Sequence, residues 1–363
     1  MTAHPLSIAQ IVPMTRQKPM LALSLLALCT LGLSLSASAQ KPTITTFDAP
    51  GSVETIPNDI NAVGAITGFY FDGNIFRGFL RSHDGTITTF VFPGADATVG
   101  ASINRAGTIT GFYSQGSVDD HGFVRSRDGH LTSFDPVGSI STQPVSIDSQ
   151  GTIVGMYNDA NQVSHGFIRS EDGAIQSFDP PGSIATFVTA TNVKGEIIGY
   201  YSNGGYDQPG FLRSRDGHYT TFEPPQALQT FPAGINRGGE IVGSYDIDFF
   251  KVHGFVRDRD GEIIIFDGPN AVGTFPESVN AAGVITGDYL GNGAQHGFVR
   301  DRDGELTTFD PPGSTRTGPR AINCRGTITG YYDDAKGLEH GFLRKSDHDE
   351  EECQQRAEDE QQY

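Results

Sequence analysis

Between residues 43 and 344 hydrophobic and polar positions alternate in short runs that stop at glycine. Residues 97–134 show the unit. "TVGASIN" and "GTITGFYS" are two runs of β-branched and aromatic residues joined at Asn104-x-x-Gly107, and "HGFVRS" and "HLTSF" are two more joined at Asp128-Gly129. A period of two over four to seven residues specifies a half-buried strand, and the runs are too short for helices. Asn and Asp can bond their own backbone two residues on, and Gly accepts a positive φ, so both junctions specify hairpins. Each unit therefore predicts four antiparallel strands.

The unit repeats along the chain. Asp84-Gly85 returns at Asp128, Asp172, Asp216, Asp260 and Asp303, a spacing of 44 residues that shortens to 43 at the end. The Asn-x-x-Gly turn runs from Asn61/Gly64 to Asn323/Gly326, with Asp148 in one copy. A period of this size is the mark of a propeller or a solenoid. The chain ends discriminate between them. "TITTF" (43–47) is a fourth strand with nothing before it, and "HGFLR" (340–344) is a third strand with Asp347-His348 where Asp-Gly would continue it. Pairing the two ends completes the last sheet and removes the bare edges of an open stack. The expected fold is an all-β, seven-bladed β-propeller of four-stranded blades over residues 40–346, closed by the N-terminal strand. One Tyr in each second strand, one Phe in each third and one Phe ending each fourth are expected to fill the wedges between blades.

The flanks differ in composition. Arg16 and Lys18 precede an apolar run from Met20 to Leu35 and the small-residue site Ala37-Ser38-Ala39, the order of a secretory signal peptide. Residues 1–39 are expected to be removed, with Met14 as an alternative start. The mature chain is then secreted, extracellular or periplasmic, with no stable membrane insertion. Residues 347–363 are acidic and apolar-poor and are expected to be disordered. The chain carries 43 acidic residues against 25 basic ones, two of which leave with the leader. That balance excludes nucleic acid as a partner and favours an extracellular or periplasmic protein or glycan. A monomer is expected. Cys324 and Cys353 remain after cleavage, and an oxidising compartment suggests a Cys324–Cys353 disulfide.

Several recurring residues could carry chemistry. His121, His165, His253, His296 and His340 precede Gly-Phe in five repeats, one per repeat, so they do not converge as metal ligands must. They are expected to bond backbone or a carboxylate between blades. The Arg two residues after each third-strand Phe, from Arg81 to Arg344, is expected to pair with a carboxylate such as the turn Asp. "DRDGE" at 258–262 and 301–305 offers Asp258, Asp260, Asp301 and Asp303 as weak calcium ligands; turn chemistry explains them as well, and no other cofactor is expected. The second-to-third loops vary freely. They place Asp119, Asp120, Tyr206, Asp207, Asp246, Asp248, Phe249, Phe250, Asp333 and Asp334 on one face as an acidic, aromatic-bearing candidate binding rim.

The unit H-G-F-[LVI]-R, x-x-D-G, T-x-F resembles the HAF-type extracellular repeat of secreted bacterial proteins, over residues 43–346, with Gly where that repeat is named for Ala. The resemblance implies an exported, propeller-like protein and transfers no catalytic residue. No carboxylate pair stands in a distinctive motif, so the expected function is a non-catalytic scaffold that binds a protein, glycan or small ligand through its variable loops. The alternative is a secreted carbohydrate-active hydrolase or lyase using two loop carboxylates. Carboxylates converging with raised pKa values would favour an enzyme.

Overall fold

A computed structural model describes residues 42–116, 119–248 and 251–345. Among them are 28 strands and no helix. The strands follow the sequence units. Glu54–Ile60, Ile66–Phe71, Phe76–Arg81 and Ile87–Phe90 are hydrogen-bonded in that order, all antiparallel, and the same order recurs in each later unit. The last unit supplies Arg316–Ile322, Ile328–Asp333 and Glu339–Lys345, and its outer partner is the opening strand Thr43–Phe47, in register from Thr43↔Lys345 to Phe47↔Gly341.

Both hairpins form as their residues require. At the first, the Asn61 Oδ1 accepts from the amides of Val63 (3.2 Å) and Ala65 (2.9 Å), and Gly64 lies at φ +85°. At the second, Gly85 N donates to Ser82 O and Gly85 lies at φ +93°. The turn Asn has a further role. Its side-chain Nδ2 donates to the carbonyl of the same Asn in the next unit, at Asn61→Asn104 (2.9 Å), Asn104→Asp148 (3.3 Å), Asn192→Asn236, Asn236→Asn280 and Asn280→Asn323. Asn323 then donates to Asn61 O at 3.2 Å. Asp148 has no amide to give, and its buried carboxyl is shifted above the usual carboxylate range by desolvation, against the amides of Thr152 and Gln150.

The core is built from contacts between successive units. The third-strand phenylalanines, Phe79 to Phe342, are wholly buried. Each meets the fourth-strand Phe of the preceding unit edge to face, with centroids 5.8–6.4 Å apart, beginning with Phe47 on Phe79 and ending with Phe309 on Phe342. The recurring Arg sits over that same fourth-strand ring, its guanidinium carbon 4.8–5.1 Å from the centroid. This corrects the expected pairing with the turn Asp. The aspartate acts on Arg81 only as a distant charge, whereas the ring face is in contact, and the buried Nε has no conventional hydrogen-bond partner.

The histidines bond a carboxylate, but within one four-strand set. His121 Nδ1 meets Asp135, His165 meets Asp179, His253 meets Asp267 and His296 meets Asp310, at 2.8–3.0 Å. His340 meets Asp48, just after the opening strand, so this polar clip also joins the two ends of the chain. Each imidazole lies against the second-strand Tyr of its own set. The proposed leader (1–39), the acidic tail and Cys353 lie outside the described residues.

Two substitutions test these contacts. Phe123→Ala removes a wholly buried ring from the wedge and is expected to cost about 3–5 kcal/mol. Asn236→Asp keeps the turn acceptor, removes the donor to Asn280, and is expected to cost about 1–3 kcal/mol. Urea denaturation of the two variants should rank them in that order; an unshifted midpoint for Asn236→Asp would show that the side-chain bonds between units add nothing.

Candidate acid–base site

Where the units agree, structure explains the residue. The threonines Thr55, Thr98, Thr142, Thr186, Thr230, Thr274 and Thr317 occupy one position of the first strand, and every one is wholly buried. Three residues further on, each first strand has a register shift, as between Pro276 and Ser278 or Pro319 and Ala321. A bulge leaves one residue outside the ladder and re-aims its side chain. The bulged residues are Asn58, Ala101, Val145, Thr189 and Ala233, then Glu277 and Arg320. A second-strand position breaks the same way, with Phe69, Phe112, Met156, Tyr200 and Ser244 followed by Asp288 and Tyr331. Ionisable groups thus gather in two adjacent units, where their counterparts elsewhere are uncharged.

The two units bring these side chains together. Arg320 Nη1 lies 3.9 Å from Glu277 Oε1. Arg316 Nε donates to Gln295 Oε1 at 3.1 Å and its Nη2 to the Tyr331 hydroxyl, while its Nη1 lies 3.6 Å from Glu339 and 3.7 Å from Asp333. Both guanidinium groups also lie over the Tyr331 ring, at 4.9 and 5.2 Å. Gly318 makes room for that ring, because a Cβ there would come within 2.7 Å of it. Asp333 Oδ1 is buried and has no hydrogen-bond partner. Asp288 and Tyr331 are 7% and 4% exposed, whereas the side chains of Glu277, Arg316 and Arg320 are 31–41% exposed. The site has a dry floor and a wet edge.

The electrostatics follow from that arrangement. Burial pushes the Asp288 carboxyl up to about 7, and the charge of Glu277 adds to the rise; Arg320, Arg316 and a hydrogen bond with Gln295 oppose it. Burial raises Glu277 too, against the pull of Arg320. Glu339 and Asp333 rise chiefly by desolvation. Burial thus raises both carboxyls, and the charge of Glu277 couples the two by adding to the rise at Asp288.

The described rim residues have separate local partners. Asp333 belongs to the cluster just described. Asp334 caps a turn by accepting from Lys336 and Leu338 amides, Asp248 accepts from Lys251 N, and Asp246 is buried against Gln229 N. Asp120 accepts from Gln143. Tyr206 is 88% exposed and Asp207 is exposed beside it; Asp119 sits at the edge of the described chain, and Phe249 and Phe250 lie outside the described residues. In the "DRDGE" turns, Asp258 Oδ1 accepts from the amides of Asp260 and Glu262, and Asp301 Oδ1 from that of Glu305. Asp260 and Asp303 project from the same turns. Among the described residues no three His, Cys, Asp or Glu side chains are placed to hold a metal.

No family model matches the chain, and no curated protein matches it. Solved structures do. The chain is similar to the β-propeller domain of the Trilobed protease from Pyrococcus furiosus (TM-score 0.57, 11% identity, 82% of this chain and 98% of that one). It is similar to a prolyl endopeptidase at TM-score 0.61 and 10% identity, over 82% of this chain but only 49% of that one, so it spans about half the peptidase's length. The Myceliophteria thermophila Cps50 (Swd1) β-propeller domain matches at TM-score 0.52 and 7% identity, over 83% and 99%. The fold is a β-propeller. The expected non-catalytic binding scaffold acting through variable loops is corrected. The similar propellers include domains of peptidases, and the ionisable side chains that converge lie on strands rather than on the variable loops.

The raised Asp288 makes stability depend on pH. Between the unfolded value near 3.8 and the folded value near 7 the native state binds the extra proton, so the contribution of Asp288 to stability is full below 3.8 and is lost as pH rises through 7. Asp288→Asn should flatten this fall in Tm between pH 5 and pH 8. Parallel Tm curves for the two proteins over that range would remove the buried acid from the account.

Proposed function

We propose that the chain is a hydrolase of carbonyl substrates, amides or esters, working at the inner strands of a seven-bladed propeller of four-stranded blades that the Thr43–Phe47 strand closes. The observation that carries this reading is the convergence of Glu277, Asp288, Arg316, Arg320 and Tyr331 in two adjacent units and in no other. The Asn323–Asn61 bond and the pairing of Thr43–Phe47 with Glu339–Lys345 support the closed ring. The unit's likeness to HAF-type repeats and the leader-like segment support an exported protein.

The chemistry assigned to each group follows its environment. Glu277, ionised beside Arg320, takes a proton from a water as the water's oxygen bonds to the substrate carbonyl carbon. The negative charge that develops on the carbonyl oxygen is met by Arg320 and by the Tyr331 hydroxyl, itself held by Arg316. Asp288, still protonated below pH 7, gives its proton to the leaving nitrogen or oxygen as the bond to carbon breaks. Glu277 returns its proton to solvent and Asp288 is reprotonated. Gln295 and the Arg316 bridge to Asp333 and Glu339 keep the tyrosine and arginine in place.

Turnover of a panel of N-acyl p-nitroanilides and p-nitrophenyl esters by residues 40–363 tests the proposal. Asp288→Asn and Glu277→Gln should each lower kcat by about 100-fold or more. The wild-type kcat/KM should fall as pH rises through 7, where Asp288 loses its proton, and also at low pH, where Glu277 gains one. Turnover no faster than that of the double variant across the panel would refute the assignment.

A further inference from the structure

Just before the bulge, the first strand has a position that the repeat leaves free. It holds Ile56, Val99 and Gln143 in the early units, Phe187, Phe231 and Phe275 in three successive units, and Gly318 in the last. The residue immediately before it is the invariantly buried Thr, and the residue after it is Gly, Val or Pro, buried throughout. The architecture therefore dictates both neighbours but not this position. The third-strand phenylalanines that fill the wedges are 0% exposed, whereas Phe187, Phe231 and Phe275 are all partly open to solvent.

These three rings stand at one register on first strands that neighbour one another. Phe187 stacks on Tyr200 across its own sheet at 4.8 Å and 18°, and Tyr200 meets Phe231 of the next unit edge-on at 5.1 Å. Phe275 is the direct cross-strand partner of Asp288. Phe187, Tyr200 and Phe231 thus pack in one row of rings, and Phe275 stands at the same register on the next first strand, opposite the buried acid and two residues before Glu277. Partly exposed aromatic rings in a row are costly to leave in water unless something covers them. Rings beside the acid–base groups meet the part of the substrate next to the bond they would act on.

Resting on the hydrolase reading, we propose that the substrate carries an aromatic or large apolar side chain beside its scissile carbonyl, and that Phe187, Tyr200, Phe231 and Phe275 bind that side chain. An acyl-phenylalanine amide has this chemistry.

Binding tests this apart from turnover. N-acetyl-phenylalaninamide and N-acetyl-glycinamide are titrated into the wild-type protein and followed by saturation-transfer NMR. The phenylalanine amide should bind at least about tenfold more tightly than the glycine amide. Phe231→Ala should reduce that preference about tenfold, Phe231→Leu should restore most of it, and Asp288→Asn should retain it. Circular dichroism melting confirms that each variant is folded, and Tyr200→Ala, expected to reduce the preference likewise, serves if Phe231→Ala is not folded. Equal affinity for the two amides, or a preference unchanged in both Phe231 variants, overturns the proposal whatever the kinetics show. Loss of turnover dependence on Asp288 with the preference intact would instead overturn the hydrolase reading alone.

Discussion

The contact on which the rest depends is a fourth-strand phenylalanine held between two partners of the following unit. Phe90 lies edge-on to Phe123 and beneath the guanidinium of Arg125, and the same triplet recurs from Phe47 to Arg344. A ring buried on its edge by another ring and on its face by a desolvated cation combines apolar burial with quadrupole attraction. It also constrains its surroundings. Gly78 cannot be larger, because a Cβ there would stand 2.3 Å from the Phe90 ring. Since the first ring of the series, Phe47, comes from the opening strand, which pairs with the last unit, the same contact joins the beginning of the chain to its end.

Repetition of this contact makes the units nearly interchangeable, and that gives asymmetry its meaning. A scaffold in which Thr, Gly and Phe are dictated at fixed places has few positions left for chemistry. Those positions are the bulged residue of the first strand, its apolar neighbour two places earlier, and the residue opposite that neighbour on the second strand. Strands hold side chains more rigidly than loops do, so groups placed there keep their geometry without an external clamp. Desolvation then sets their protonation. Asp288 rises because strands surround it, and Glu277, at the wetter edge beside Arg320, supplies the charge that raises it further.

The strands and both hairpins were legible because each rests on local chemistry that recurs with the period, whereas the His–carboxylate bonds, expected between units, form within one. The Arg contact was misread, since a sequence shows the nearby turn Asp and not the ring contributed by the preceding unit. Part of the rim has a local explanation. Asp248 and Asp334 are acidic because turns need acceptors for their own amides, which is a structural demand that looks like a binding surface in one dimension. The cluster was missed although its signal was present. Aligning the units position by position isolates Glu277, Asp288 and Arg320 as the charged departures, but only for a reader who already knows that these positions face one another.

The sequence by itself determined the strand pattern, the turn chemistry and the period, because hydrogen bonding in a hairpin is decided within a dozen residues. Tertiary structure alone decided which side chains from different units meet, and how dry each became. Glu277 and Arg320 are 43 residues apart in the chain and 3.9 Å apart in space. The pKa of Asp288 depends on the atoms around it, and those come from two units at once.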